Sequence, residues 1–363
     1  MPLPPLVDPA PSLPSDEYTR AARQIRLASI GDVGQRRLSA ARVCVLGAGG
    51  LGSPVLTYLA SAGVGTIGVV DDDTVEESNL QRQILFGVDD VGARKTSVAA
   101  ARIRSMSPHT RVVEHRERLT AANASAVLAD YHLVIDGTDN FDTRYSVADT
   151  CADLGLPLVW GSVLGFDAQA TVFWSSPPVG PGVTLRDVFP VPPPAGDVPD
   201  CAEAGVLGAL CGQLGSILAA EAVKLIVGIG DSILGRMLVL DGLTARIAEV
   251  PIAPRTDVAD IRRVDAAALG LLDDTVRSET VLLDVREPDE VAAGAIPGAV
   301  PIPLNTLLAD AAAVDIGDVT VVYCQRGPRA RVAAAALRAV NPTADIALLD
   351  GGYAAWAERT GSL

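Results

Sequence analysis

Aromatic side chains are scarce in this sequence: they are 4% of 363 residues, while hydrophobic residues as a whole reach 49%. Its cores must therefore be aliphatic, filled by Val, Leu, Ile and Ala. Paired cysteines are lacking too. Cys44, Cys151, Cys201, Cys211 and Cys324 are far apart and odd in number, and no two have Cys-x-x-Cys spacing. That excludes a disulfide framework and fits a reducing cytoplasm, with one or two reactive thiols. Positive charge is the minority, 29 Lys and Arg against 44 Asp and Glu, for a net charge of −15. Such a field opposes nucleic-acid backbones as partners and leaves room only for local basic pockets. Met1–Ser15 is proline-rich, with neither the charged start nor the apolar centre of a signal peptide. The longest uncharged run, Ala204–Ala220, is broken by glycines and Gln213, so no membrane span is expected.

The length suggests at least two domains. Residues 1–15 read as a flexible tail, and Asp16–Ile30 as a helix with Arg20, Arg23 and Arg26 at helical spacing. Apolar strands at 42–46, 66–70, 133–135 and 158–160 alternate with helices at 53–62 and 95–106. This order predicts a doubly wound, Rossmann-like, mostly parallel α/β sheet over residues 16–250. Residues 175–200 read as a long proline-rich loop, 205–227 as a buried helix and 251–260 as a linker. A smaller α/β unit is expected over 261–363.

What is present is a glycine loop followed by acids, then cations. Gly47-Ala48-Gly49-Gly50-Leu51-Gly52 follows a strand and opens a helix, with G-x-G-x-x-G spacing at Gly47, Gly49 and Gly52. Such a turn lets phosphate oxygens approach backbone N–H groups at a helix N-terminus. Asp71 ends the next strand, where a carboxylate can accept ribose hydroxyls. A nicotinamide-dependent dehydrogenase would share these features. Arg82 and Lys95, with Asn79 and Gln83 beside them, favour instead a triphosphate under attack, where charge builds on phosphorus.

The string Asp71-x-Asp73-x-Val75-x-x-Ser78-Asn79-Leu80-Gln81-Arg82-Gln83 resembles the adenylation signature of the E1-like adenylyltransferase family. That family includes the molybdopterin-synthase and thiamin adenylyltransferases and the ubiquitin-activating enzymes. Arg23-Gln24-Ile25, Ile135-Asp136-Gly-Thr-Asp139-Asn140 and Cys201-Ala-Glu-Ala-Gly205-Val extend the resemblance over residues 16–250. It implies that Asp71 holds the ATP ribose, and that Asn79, Arg82 and Lys95 bind the phosphates. Asp73, Gln83 and Asn140 would complete the nucleotide site. Asp139 would bind Mg²⁺, with Asp136 the competing carboxylate and helix capping the plain alternative for Asp139. Arg23 would reach the ATP site of a second subunit, implying a homodimer; alone, it could be a solvated helix face. The implied substrate is a ubiquitin-like sulfur carrier protein ending in Gly-Gly. Its terminal carboxylate needs no general base, being already anionic at neutral pH.

Many relatives carry two Cys-x-x-Cys pairs for a structural Zn²⁺. Neither pair is present, so no zinc is expected. The C-terminal unit resembles a rhodanese domain through Leu283-Asp284-Val-Arg286-Glu287, Gly294-Ala-Ile296-Pro297-Gly298-Ala299 and Asp350-Gly351-Gly352-Tyr353-x-x-Trp356. Its active loop would be Cys324-Gln325-Arg326-Gly327-Pro328-Arg329, with Cys324 carrying a persulfide from a persulfide or thiosulfate donor. Loop N–H groups and a helix N-terminus suit a sulfur anion there. Arg326 and Arg329 are expected to add positive charge, and Pro328 to remove one donor. Cys201 matches a family cysteine able to link covalently to the carrier; core packing is its alternative. Cys44, Cys151 and Cys211 read as core. Together these resemblances imply an adenylyltransferase fused to a sulfurtransferase, with a non-catalytic carrier-binding scaffold as the remaining alternative.

Overall fold

The structure is a computed structural model that describes residues 3–193, 204–254, 261–265 and 280–360. The chain divides into two compact units: Met1–Val183 with Pro193–Ile252, and Thr184–Pro192 with Ala253–Leu363.

The first unit is built on β1 (Arg42–Leu46), β2 (Thr66–Val70), β3 (Arg111–His115), β4 (Leu133–Asp136) and β5 (Leu158–Leu164), all parallel. Three antiparallel strands, β6 (Asp167–Phe173), β7 (Arg236–Asp241) and β8 (Arg246–Pro251), extend one edge, giving the order β3-β2-β1-β4-β5-β6-β7-β8. The parallel strands read as unbroken apolar runs because they are covered on both faces; Val43–Leu46 and Leu133–Asp136 are buried throughout. Helices α1 (Ser15–Arg20), α2 (Ala22–Ile25), α3 (Gly31–Ala40), α4 (Gly52–Ala62), α5 (Lys95–Met106), α6 (Ala124–Leu128) and α7 (Phe141–Leu154) follow the chain. From β1 the crossover through α4 leads to β2 on one side, while β4 lies on the other. The strand order therefore reverses between β1 and β4, and in such sheets the crevice beyond the strand C-termini binds ligands.

The single helix expected over Asp16–Ile30 is in fact α1 and α2, separated at Ala21, with Gly31 in the left-handed region (φ 56°) starting α3. The proline-rich start is a second correction. Its prolines suggest a loose tail, but the apolar residues between them find a core. Leu3, Leu6 and Val7 pack on the main cluster, Leu6 N–H donates to Leu225 O at 3.2 Å and Ala10 N–H to Arg36 O at 3.1 Å. Proline also lowers the entropy lost on ordering.

The helix expected from Gly205 is α9 (Gly208–Val227), which begins three residues later. Its 20 residues are long and apolar enough to cross a membrane. Here Leu210, Leu214, Leu218, Ala222 and Ile226 bury it in the main core, beside α4 residues Val55, Leu56 and Leu59. The core is aliphatic as expected.

The second unit is a five-stranded parallel sheet of β9 (Arg262–Val264), β10 (Thr280–Asp284), β11 (Val300–Pro301), β12 (Val319–Tyr323) and β13 (Asp345–Leu349), in the order β11-β10-β12-β13-β9. It includes α8 (Leu185–Val188), inside the stretch expected to be loop. Thr184 and Asp187 close a capping box around it, which is why a helical turn forms there. Helices α10 (Pro288–Ala293), α11 (Leu304–Ala309), α12 (Pro328–Val340) and α13 (Gly352–Thr360) complete the unit.

Candidate active sites

In the first unit the glycine loop turns sharply at Gly47, whose φ of 81° suits glycine. A Cβ on Gly52 would lie 1.8 Å from Gly47 O, so only glycine lets α4 start so close to the strand. Asp71 ties this loop down. One carboxylate oxygen accepts from Ala48 N at 2.8 Å, the other from Asp73 N at 2.9 Å. Burial pushes the Asp71 carboxyl up, while Lys95 and these two N–H groups oppose the rise. Its oxygens keep further lone pairs able to accept from a ligand's hydroxyls.

Lys95 starts α5 and is buried, with Nζ 2.8 Å from Asp73 Oδ2. Asp73 thus orients the ammonium from the solvent side. Arg82 is half-buried and donates to Ser78 O at 3.2 Å, and its Cγ lies 3.4 Å from where a Gly50 Cβ would stand. Gln83 is buried with Oε1 unbonded, and its Nε2 is 3.8 Å from a Cβ placed on Gly49. Asn79 is buried and closes a 3₁₀ turn by accepting from Glu76 N at 3.2 Å. The structure thus gathers Gly47, Gly49, Gly50, Gly52, Asp71, Asp73, Arg82, Gln83 and Lys95 around one loop. Asn79 acts mainly on the turn that carries Arg82. Cys211 lies beneath: its sulfur is 3.0 Å from a Cβ placed on Gly50, a packing role that matches the core reading. Burial raises the Cys44 and Cys151 thiols far above their ordinary value, which keeps both inert.

The Asp136–Asn140 loop leaves β4 beside Leu46. Asn140, not Asp139, caps α7, accepting from Thr143 N at 2.9 Å. Asp139 is exposed, with no hydrogen bond or ion pair among the described residues. Asp136 is fully buried, and burial raises its carboxyl against the pull of Arg144. Of the two carboxylates, only Asp139 can face a ligand. Among the described residues no group of three or more His, Cys, Asp or Glu could hold a metal alone. One exposed carboxylate beside a phosphate loop does fit Mg²⁺, which usually takes one or two carboxylates and completes its shell with phosphate oxygens and water. Arg23 is exposed on α2 and has no hydrogen bond or ion pair tying it to this chain's own nucleotide loop. Cys201 lies outside the described residues.

In the second unit Cys324 follows β12, and its sulfur is buried beneath its loop, accepting from Gly327 N at 3.0 Å. Tyr353 N–H donates to Cys324 O at 2.9 Å and Ala354 N–H to Gln325 O at 3.0 Å. The start of α13 thereby engages the carbonyls of Cys324 and Gln325, while the Gly327 N–H points at the sulfur. Gly327 takes φ 128°, and Pro328 stands at the first turn of α12, where a missing N–H costs the helix little.

The charge at this loop differs from expectation. Arg329 is buried, and its two terminal nitrogens reach Glu290 at 2.5 and 2.7 Å. Its charge is largely neutralised, so among the described residues exposed Arg326 is left as the loop's open cation. Arg286 is buried and bidentate on Asp284, with Nη2–Oδ2 2.7 Å and Nε–Oδ1 3.0 Å. It also reaches Gln325 Oε1 at 3.3 Å and lies 4.0 Å from the Tyr353 ring centroid. Burial alone would raise the Glu290 carboxyl, but Arg329 more than offsets it and holds it below the ordinary value of 4.5. The pair's stabilisation is therefore present above about pH 4.5 and is lost as pH falls through the lower folded-state value. Glu290→Gln should destabilise the second unit by about 2 kcal/mol at neutral pH. In thermal melts the gap to wild type should close on acidification; a gap independent of pH would refute the assignment.

A glycine loop with Asp71, Arg82 and Lys95 beside it suits a nucleotide-dependent adenylating unit, and the Cys324 loop suits a sulfurtransferase unit. Comparison with known proteins agrees. Residues 21–259 match the ThiF family and 268–359 the rhodanese-like domain. The chain is 43% identical to the probable adenylyltransferase/sulfurtransferase MoeZ of Mycobacterium tuberculosis, over 98% of this chain and 97% of the relative. It is 48% identical to a sulfur carrier protein adenylyltransferase of Thermus thermophilus, over 65% of this chain and 88% of that one. The E. coli MccB structure with ATP matches at a TM-score of 0.55 and 20% identity, over 67% of this chain and 73% of that chain, a likeness of fold. The chain belongs to the ThiF family, and it is an adenylyltransferase joined to a rhodanese-type sulfurtransferase.

Proposed function

We propose that this enzyme activates the C-terminal glycine of a ubiquitin-like sulfur carrier with ATP and then converts it to a thiocarboxylate. The observation that carries the reading is the presence, in one chain, of a glycine loop bordered by Asp71, Arg82 and Lys95 and a thiol that accepts from the Gly327 N–H of its own loop.

In the first step a carboxylate oxygen of the carrier attacks the α-phosphorus of ATP. A P–O bond forms, the bridging P–O bond breaks, and pyrophosphate leaves with the electron pair. The protein aligns the two anions and neutralises developing charge, which is where its rate advantage would lie. Lys95 and Arg82 supply fixed cations, the Gly47–Gly52 loop supplies N–H groups, and Asp71 holds the ribose. Mg²⁺ would be held by Asp139 and would supply further charge neutralisation at the phosphates. Arg23 would serve the nucleotide site of a second copy, in a homodimer.

In the second step a persulfide on Cys324 attacks the acyl carbon through its outer sulfur, which stands about 2 Å beyond Sγ. AMP leaves, giving an acyl disulfide between carrier and Cys324. Thiol attack on its S–S bond releases the thiocarboxylate, and the resulting disulfide is reset by an external dithiol. Cys201 is the candidate attacking thiol. The persulfide comes from a persulfide or thiosulfate donor. A cytoplasmic location is proposed with it, because this chemistry needs reduced thiols. Carrying the donor on the activating chain raises its effective concentration at a reactive mixed anhydride.

The test is incubation with ATP, Mg²⁺, a sulfur donor and purified ubiquitin-like carriers ending in Gly-Gly. Carrier-dependent ATP–pyrophosphate exchange is expected, followed by a carrier mass in which one sulfur replaces one oxygen. Exchange that ignores every carrier would overturn the substrate assignment.

A further inference from the structure

Arg144 is a cation in a place where the sequence motifs assign none. It lies on α7, 7% exposed, one turn after the Asp139–Asn140 pair. Three sets of contacts define it. Its Nη2 donates to Thr138 O at 2.5 Å. Its guanidinium carbon is 5.2 Å from the Trp160 ring centroid and 5.4 Å from that of Phe141. Its Nε faces Asp136 Oδ2 across 4.0 Å, and neither atom has a hydrogen bond.

Asp136 works on the same residue from the other side. Its Oδ1 accepts from Thr138 N at 2.8 Å and from Thr138 Oγ1 at 2.7 Å. Thr138 is thus held at its N–H, hydroxyl and carbonyl, and Asn140 is fixed as the cap of α7. Asp139 lies between two pinned residues, while its own carboxylate stays exposed. The loop also leans on the nucleotide loop: Gly137 N–H donates to Leu46 O at 3.2 Å, and a Cβ on Gly137 would stand 2.9 Å from Leu51 Cβ. A shift at Thr138 would therefore move the Asp139 carboxylate relative to the phosphates.

We propose that Arg144, paired with buried Asp136, is a positioning residue that sets the Asp139 carboxylate at the Mg²⁺–triphosphate. The proposal rests on the adenylation reading. A buried pair used only for stability should make its hydrogen bonds, because two buried charges gain little unless well bonded. This pair leaves Nε and Oδ2 unbonded, while Arg144 Nη2 and Asp136 Oδ1 both engage Thr138. Arg rather than Lys fits the task, since its planar fork stacks on Trp160 and Phe141 while directing one N–H at the carbonyl.

The test is equilibrium binding of ATP to the full-length enzyme over a Mg²⁺ titration, without carrier, alongside carrier-dependent ATP–pyrophosphate exchange. Arg144→Lys keeps the charge beside Asp136 but loses the fork. It should melt near wild type and yet need about 10-fold more Mg²⁺ for half-maximal ATP binding, as is usual when a group that orients a metal ligand is altered. Exchange should show the same shift. The double variant Asp136→Asn/Arg144→Gln leaves no buried charge unpaired and should show the shift even if the lysine variant fails to fold. Wild-type Mg²⁺ dependence in either folded variant would overturn the proposal and leave Arg144 a packing residue. If wild type itself neither binds ATP nor catalyses exchange, the adenylation reading fails instead, whatever Arg144 does.

Discussion

Cys324→Ala should leave carrier-dependent ATP–pyrophosphate exchange at its wild-type rate while thiocarboxylate formation falls by at least about 10³-fold. The carrier should then accumulate as its adenylate and hydrolyse back to the free carboxylate. The split is expected because the nucleotide loop, Asp71, Arg82 and Lys95 lie in the first unit, while Cys324 and its loop have a sheet and core of their own. Removing a sulfur that packs at the end of β12 leaves a small cavity in the second unit and should not disturb the first. Two assays decide the result: pyrophosphate exchange and intact carrier mass. Persistent thiocarboxylate formation with the same donor would show that another thiol carries the sulfur. Loss of exchange would show that the two chemistries are not separable.

Lys95→Met should have the opposite signature. Exchange should fall by about 10²–10³-fold, equivalent to about 3–4 kcal/mol of lost transition-state stabilisation, while sulfur transfer from thiosulfate to cyanide through Cys324 stays intact. The Lys95 ammonium is nearly enclosed, at 7% side-chain exposure, and held by Asp73 at 2.8 Å. A cation fixed in a partly dehydrated site acts on developing phosphate charge far more strongly than one free in water. Methionine keeps much of the stem's packing and removes only the charge. Asp73→Asn tests the orienting carboxylate with a smaller effect expected in the same direction, about 10-fold. Unchanged exchange in Lys95→Met would mean that the cations lie at this loop for folding alone.

Much of this architecture is legible in the sequence because the signals are local. The buried strands announce themselves as apolar runs such as Val43–Leu46, and the G-x-G-x-x-G turn adjoins its strand. The rhodanese loop is contiguous, so Cys324 and Gly327 are found together. Features that depend on distant partners stay hidden. Arg329 reads as a free cation in its loop; its neutralising Glu290 lies 39 positions earlier, on another helix. Arg144 looks like one more charge on a helix until Asp136, Trp160 and Thr138 surround it. The β8 strand is exposed along its whole length and so carries no alternation to reveal it. The N-terminal residues fail for a related reason, since the core that Leu3, Leu6 and Val7 pack on, and the Leu225 and Arg36 carbonyls that Leu6 and Ala10 meet, come later in the chain.

The two N–H groups that α13 gives to Cys324 O and Gln325 O make the last described helix a working part of the sulfur site. Loss of the C-terminal segment from Gly352 onward would free both carbonyls, which could then turn toward the sulfur and repel an anion formed there. A clipped protein of that kind would keep its Cys324, and its adenylating unit would be untouched. It would consume ATP on a carrier that it could no longer thiolate. Proteolysis near that end therefore converts a sulfur-transfer enzyme into a futile one, and intact mass at the C-terminus belongs among the checks on any preparation that activates but fails to transfer.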